Sequence, residues 1–203
     1  MAQIENETKL TLSPEDYDLI RERGRVLECR EQLNIYLHDP SQLHQGLGYF
    51  RVRYETGKDP VATLKIPVGW EGAVRKMVEI EQPLRELGPG LFPRPRRQIQ
   101  VRDDLPGELG QHFLALGITS LRRLGWMRNL RCLVDVGEGV VELDRTRLPD
   151  GSVQFEVEIE TPDDALQATL AATIREWAPS AVESQVGKFS RFLASLDSLP
   201  TLS

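Results

Sequence analysis

Apolar and polar residues alternate with a period of two along most of the chain, the signature of half-buried strands. The alternating runs are "QIENETKLTL", "LNIYLHDP", "GYFRVRYETG", "DPVATLKIP", "VRKMVEIEQP", "RNLRCLVDV", "GVVELDRTRL" and "SVQFEVEIE". Each is bounded by Gly, Pro, Asp or another turn former. The last two are joined by "LPDGS", whose Asp150-Gly151 pair is a strong hairpin signal. Between the first two runs the pattern changes to that of a helix. Ser13 serves as N-cap, Pro14 fills the first helical position, and Glu15 and Asp16 sit in the first turn, which predicts a helix from Ser13 to about Arg30. A further helix is predicted across "LPGELGQHFLALG". Two more, "DDALQATLAATIREWA" and "ESQVGKFSRFLASL", close the chain over about 162–197, with apolar residues at i and i+3/i+4.

Strands, a helix, more strands and closing helices make an α+β pattern. One domain is expected over residues 1–203. About eight strands are available, the number that closes a small antiparallel barrel around side chains or one small ligand.

The alternation also sorts chemistry. Phe50, Val52 and Tyr54 oppose Arg51 and Arg53, and Val78 and Ile80 oppose Glu79 and Glu81. Val141 and Leu143 oppose Glu142 and Asp144, while Phe155, Val157 and Ile159 oppose Glu156, Glu158 and Glu160. Ordinarily such a charged face looks into water. Here the charges are segregated by strand, with glutamates on some and arginine pairs or Lys65 on others, whereas a solvated surface mixes signs. Three glutamates on one face of "EVEIE" repel each other unless a cation sits among them. Carboxylate oxygens suit Mg²⁺ or Mn²⁺, and arginine pairs present donors that match phosphate oxygens.

Composition narrows the classes. With 40% hydrophobic and 28% charged residues, the chain reads as a soluble protein. No apolar run approaches the ~18 residues that span a bilayer, and the N-terminus reaches charged residues at once. A cytoplasmic protein without membrane partners is expected. A net charge of −6 argues against broad nucleic-acid binding. Cys29 and Cys132 fit neither a CxxC motif nor zinc-ligand spacing, so they are expected to be ordinary packing residues.

The order of the charged motifs resembles the CYTH domain, also called the triphosphate tunnel metalloenzyme fold, of the CyaB–thiamine triphosphatase superfamily. The family's N-terminal ExExK appears as Glu5, Glu7 and Lys9. "FRVR" (Arg51, Arg53), "ATLKIP" (Lys65), "VEIE" (Glu79, Glu81), "RNLR" (Arg128, Arg131), "VELD" (Glu142, Asp144), "FEVEIE" (Glu156, Glu158, Glu160) and "GKFSRFL" (Lys188) follow in order. The resemblance implies an eight-stranded antiparallel tunnel with a charged interior, flanked by helices. It also implies action on triphosphate compounds with Mg²⁺ or Mn²⁺. Known family roles include inorganic triphosphatase, thiamine triphosphatase, RNA triphosphatase and adenylate cyclase.

Transferred by position, Glu5, Glu7, Glu156, Glu158 and Glu160 are expected to hold metal. Lys9, Arg51, Arg53, Lys65, Arg131 and Lys188 are expected to bind the phosphate chain. Glu5, Glu7, Lys9 and Asp144 form the expected catalytic set, with Glu79, Glu81, Glu142 and Arg128 in support. Arg128 does not share strand parity with Arg131 and fits a surface position equally well. Inorganic triphosphate is the leading substrate, since nothing announces a base or sugar pocket. Tyr49, two residues before Arg51, offers a cation–π face that keeps thiamine triphosphate as an alternative. Binding of triphosphate or polyphosphate without turnover, by a non-catalytic module, is the contrasting class; it gains nothing from the glutamates, which repel the ligand unless metal is present. "FPRPRR" (Arg94, Arg96, Arg97) reads as a solvent loop, His38, His44 and His112 lack metal spacing, and "GKFS" lacks the earlier glycine of a P-loop.

Overall fold

A computed structural model of the protein describes residues 3–4, 7–39, 48–71, 74–84, 98–105, 107–184 and 186–198. In chain order the elements are β1 (Gln3–Ile4), β2 (Glu7–Leu12), α1 (Pro14–Arg23), β3 (Arg25–His38), β4 (Tyr49–Glu55), β5 (Val61–Glu71), β6 (Val74–Pro83) and β7 (Gln98–Gln100). There follow α2 (Val101–Asp104), α3 (Glu108–Ala115), β8 (Ser120–Asp135), β9 (Val140–Arg147), β10 (Val153–Glu160), α4 (Asp164–Trp177), β11 (Val182–Glu183) and α5 (Lys188–Asp197). Among the described residues no helix is long and apolar enough to cross a membrane.

Several local signals act as the sequence requires. The Ser13 hydroxyl accepts the Asp16 amide at 3.0 Å with Pro14 at the start of α1, which satisfies one of the free N–H groups of the first turn. Between β9 and β10, Gly151 takes φ +86°, and the Asp150 carboxylate accepts the Ser152 amide at 2.9 Å. Asp163 caps α4 through the amides of Ala165 and Leu166.

The expectation that the first helix reaches about Arg30 is corrected: α1 stops at Arg23, and β3 begins at Arg25. Gly24 closes the last turn by donating its amide to the Ile20 carbonyl at 2.9 Å. A Cβ at Gly24 would lie 2.4 Å from Val134 Cγ1, so this position passes too close to β8 for any side chain. Likewise the last helix does not begin near Glu183. Val182 and Glu183 pair instead with Thr11 and Leu10 of β2, and α5 starts after Gly187. The helix expected over 105–117 is α3, Glu108–Ala115, which starts after Gly107 at φ +90°; the short α2 before it lies outside the expected range.

The chain divides into two compact units. The first comprises Met1–Ile4, Leu33–Gly69 and Arg75–Trp126; the second comprises Glu5–Gln32, Trp70–Val74 and Met127–Ser203. Strand order in the first is β1-β6-β5-β4-β3, with β7 on β8, and in the second β3-β8-β9-β10-β2-β11. The pairings β1–β6, β4–β5, β7–β8, β8–β9, β9–β10, β10–β2 and β2–β11 are all antiparallel, and with the helices they make the chain α+β. The eight-stranded closed barrel is corrected: there are eleven strands, and their pairing order runs open from β1 to β11 among the described residues. The count exceeds the expectation because β1 and β2, on either side of the undescribed residues 5–6, are counted separately as partners of β6 and β10, and because β7 and β11 are short additions.

Each unit has its own core on the apolar side of its strands. In the first, Ile35, Phe50, Val52, Ala62 and Leu64 pack with Val101, Leu109 and Phe113 of α2 and α3, the rings of Phe50 and Phe113 meeting edge-on at 5.1 Å. In the second, Leu10, Leu143, Val157 and Ile159 pack against Ile20 of α1 and Leu170 and Ile174 of α4. Full burial of such a side chain stabilises by roughly 1.5–3 kcal/mol, and that gain commits the opposite, charged face of the same strands to its orientation. Cys29 and Cys132 are not separate packing residues: they are joined in a disulfide between β3 and β8. The 103 residues separating them hid that proximity from spacing rules, which read only local motifs.

Candidate functional site

In the second unit, strand register sets the charged side chains opposite one another. Glu158 of β10 faces Lys9 of β2 on one side and Glu142 of β9 on the other; Glu156 faces Asp144; Asp144 in turn faces Arg131 of β8. Residues two apart on a strand share a face, so Asp144, Glu156, Glu158, Lys9 and Arg131 meet on the side away from the apolar core. From the first turn of α5, Lys188 enters the same set.

The contacts are dense. Glu158 Oε1 accepts from Lys9 Nζ at 2.5 Å and from Lys188 Nζ at 2.6 Å, while its other oxygen takes Arg131. Arg131 grips Asp144 in a fork, Nε to Oδ1 at 2.9 Å and Nη2 to Oδ2 at 2.6 Å, and its Nη1 reaches Glu142. Lys188 also contacts Asp144 Oδ2 and Glu156 Oε1, so one ammonium is shared by three carboxylates. Lys9 additionally holds Glu7 at 2.5 Å.

Burial sharpens these charges. It opposes ionisation of Glu158, but Lys188, Lys9 and Arg131 outweigh it and hold the carboxyl well below the usual range. Asp144 is lowered in the same way by Lys188 and Arg131 against its burial. Burial also works against charged Lys9 and Lys188, yet the surrounding carboxylates keep both ammonium groups above the ordinary lysine value. Glu142 goes the other way: burial pushes it up, Arg131 pulls it back, and Glu158, Asp144 and Glu160 add to the rise.

One carboxylate oxygen each from Asp144, Glu156 and Glu158 lies within 4.8 Å of the others, and all three residues are buried. Hard oxygen donors at this separation fit a divalent ion of the Mg²⁺ or Mn²⁺ kind. Asp144 joins Glu156 and Glu158, while Glu160 is exposed at the end of β10 opposite Glu7. Glu7 is half-buried and engaged with Lys9. Glu5 lies outside the described residues, as do His44, Arg94, Arg96 and Arg97.

The first unit carries the other expected residues. Arg51 is buried, with Nη2 3.8 Å from Glu79 Oε1; Lys65 Nζ is 3.4 Å from Glu79 Oε2. Arg53 donates to Asn34 Oδ1 at 3.2 Å, and Glu81 accepts from the Thr63 hydroxyl at 3.0 Å. In the second unit, Arg128 is exposed, opposite Arg147, on the other parity from Arg131. His38 and His112 are half-buried, and neither belongs to the acidic cluster.

Four residues escaped the sequence reading. Arg191, three positions after Lys188 and so on the same helix face, contacts Glu156 and donates to the Val186 carbonyl at 2.9 Å. Gln32, Asn129 and Thr146 are buried and linked to Asp144 by hydrogen bonds. Asn129 shares parity with Arg131, and Thr146 with Asp144. That parity was the available signal, but a search for charge alone passes over neutral members of the face.

Solved structures of similar fold exist. A candidate adenylyl cyclase from Hippeastrum, described as having a dominant triphosphatase activity, has a solved structure that superposes with a TM-score of 0.79 at 22% identity, covering 96% of each chain. A candidate adenylate cyclase from Bacillus halodurans gives 0.67 at 20% identity, over 94% of this chain and 98% of its own. PH1819 from Pyrococcus horikoshii gives 0.56 at 15% identity, over 94% and 98%. At these identities the likeness is one of fold. No curated protein sequence matches significantly. The model of the CYTH domain matches residues 3–193, nearly the whole chain, and with the acidic and basic faces in register the conclusion is that the chain belongs to the CYTH domain family.

Proposed function

We propose that this protein is a metal-dependent triphosphatase that removes the terminal phosphate of inorganic triphosphate. The observation that carries the reading is the buried set of Asp144, Glu156 and Glu158 interleaved with Lys9, Arg131 and Lys188. A receptor for anions needs the basic groups alone; carboxylates among them repel the ligand unless a cation joins it. The family, and the triphosphatase activity described for the Hippeastrum protein, support the same choice.

In this reading Asp144, Glu156 and Glu158 hold Mg²⁺ or Mn²⁺, with Glu5 and Glu7 added by the family motif. The ion supplies Lewis-acid polarisation of phosphoryl oxygen. Lys9 and Lys188 bind phosphate oxygens, as do Arg51, Arg53 and Lys65 by their family positions. Arg131, gripped by Asp144, Glu142 and Glu158, presents a guanidinium whose orientation is fixed before substrate arrives. Phosphoryl transfer asks little covalent chemistry of the protein, so positioning and charge compensation are the main work. Glu79 and Glu81 support the basic face of the first unit.

Thiamine triphosphate is a second reading, favoured by one observation. Tyr49 shares strand parity with Arg51 and Arg53, and its ring meets Tyr36 at 5.7 Å, so an aromatic pair stands beside the arginine pair where cation–π contact with a cationic ring would be favourable. The deciding experiment measures phosphate release from inorganic triphosphate, thiamine triphosphate, ATP, pyrophosphate and long-chain polyphosphate, each with Mg²⁺, Mn²⁺ and Ca²⁺. Inorganic triphosphate should give the highest kcat/KM, and pyrophosphate should be poor because it leaves part of the basic array unfilled. Equal kcat/KM for ATP, or cyclic AMP from ATP, would overturn the assignment.

A further inference from the structure

We infer that Asn129 is a positioning residue for the metal-binding carboxylate of Asp144, fixing which of its two oxygens is offered to a divalent ion. The inference rests on the reading above that Asp144 is a ligand, and deepens it.

Asn129 lies on β8 directly opposite Thr146 of β9, two residues from Arg131 on the same face. It is 3% exposed, and its neighbours Gln32, Thr146 and Asp144 are buried to a similar degree. Thr146 Oγ1 donates to Asn129 Oδ1 at 2.9 Å; Asn129 Nδ2 donates to Asp144 Oδ1 at 2.9 Å and to Gln32 Oε1 at 3.1 Å. The amide therefore spends both N–H groups on acceptors and takes a hydroxyl proton on its oxygen. That pattern allows one orientation only, because the flipped amide would point its oxygen at a carboxylate.

The effect falls on one oxygen of Asp144. Oδ1 receives two donors from β8, Asn129 Nδ2 and Arg131 Nε, both at 2.9 Å. Oδ2 takes Arg131 Nη2 at 2.6 Å and is the oxygen that shares Lys188 with Glu156 Oε1 and Glu158 Oε1. Arg131 forks both oxygens, and Asn129 adds a second donor to Oδ1 alone, which turns Oδ2 toward the two glutamates. Asn129 does so as a neutral donor, adding no charge to a cluster that already holds several. Hydrogen bonds to the far side of ligating groups fix their orientation, and losing one weakens metal affinity or activity by roughly 10–100-fold. Thr146 acts one step further out, by fixing the amide.

The test is a titration with Mn²⁺ alone, following the free ion by electron paramagnetic resonance, with the folded fraction checked by circular dichroism. Asn129→Leu, close in volume and without donors, should weaken Mn²⁺ binding by roughly 10–100-fold. Thr146→Val should weaken it by a smaller factor, and Thr146→Ser, which keeps the hydroxyl, should restore wild-type affinity. A purely structural role would lower thermal stability and leave the affinity of the folded protein unchanged. Should Asn129→Leu not fold, the Thr146→Val and Thr146→Ser pair decides by itself. Wild-type Mn²⁺ affinity in the folded Asn129→Leu or Thr146→Val protein overturns the inference while leaving the metal reading intact. No Mn²⁺ binding by the wild-type protein removes the metal reading and the inference together.

Discussion

Replacing Lys188 with Met should destabilise the protein and, at the same time, make it more responsive to divalent metal. The Lys188 ammonium touches Asp144, Glu156 and Glu158, and only 12% of its side chain is exposed. Removing one partner of a buried ion pair costs about 3–5 kcal/mol, because the remaining charge is left uncompensated. Lys9, Arg131 and Arg191 stay in place, which argues for the lower end, about 3 kcal/mol. At roughly 2–4 °C per kcal/mol for a chain of this size, the thermal midpoint should fall by about 6–12 °C. Mn²⁺ can then occupy the space that the ammonium filled. Binding to the folded state alone stabilises by about 2.7 kcal/mol at one hundred times Kd, enough to offset most of the loss. The wild-type protein, whose own cation stands at that position, should gain less. Differential scanning calorimetry of both proteins, with and without Mn²⁺, reads the two effects together. Equal Mn²⁺-induced shifts in wild type and variant would refute the idea that the ammonium and the metal compete for the same oxygens.

Two further outcomes follow from geometry described above. Asp144 and Glu158 have depressed folded pKa values, so their stabilisation is complete above the unfolded values of about 3.9 and 4.3 and is lost as pH falls through the folded ones. Thermal midpoints measured from neutral pH downward should therefore hold to about pH 5 and drop below about pH 4, and Glu158→Gln should flatten that acid limb; an unchanged limb would contradict the assignment. Gly24→Ala drives a Cβ to 2.4 Å from Val134 Cγ1 and close to the carbonyls of Ile20 and Asp135. Overpacking of this kind costs about 1–3 kcal/mol, and a urea midpoint equal to wild type would show that β3 and β8 yield without cost.

Much of this molecule is written in its alternation. The strand faces of β4, β9 and β10 are legible because one register of a half-buried strand puts every apolar residue on the core, and a one-residue slip exposes them all. Ser13 and Asp150-Gly151 are legible because caps and tight turns are local chemistry. What escaped depends on distant partners. The end of α1 is set by the approach of β8 to Gly24, more than a hundred residues later in the chain. Which carboxylates of the shared face come within 4.8 Å of one another, Asp144, Glu156 and Glu158, depends on side-chain placement that parity does not express. Asn129, Thr146 and Gln32 carry no charge and enter no metal or phosphate motif, yet they complete the hydrogen bonding of the most buried carboxylate.

The Cys29–Cys132 bond has a topological consequence. Apart from Met1–Ile4, all of the chain that builds the first unit lies between the two cysteines. Oxidised, that stretch is a closed lariat whose neck belongs to the second unit. Melting or proteolytic nicking of the lariat then leaves the neck tied, and a cut chain stays one covalent molecule until a reductant opens it. In the chain-entropy account, a ring of about one hundred residues removes roughly 4–5 kcal/mol of freedom from the unfolded state at 25 °C. The thiol–disulfide balance of the surroundings therefore sets the depth of the second unit's folding well, independently of anything bound to its carboxylates.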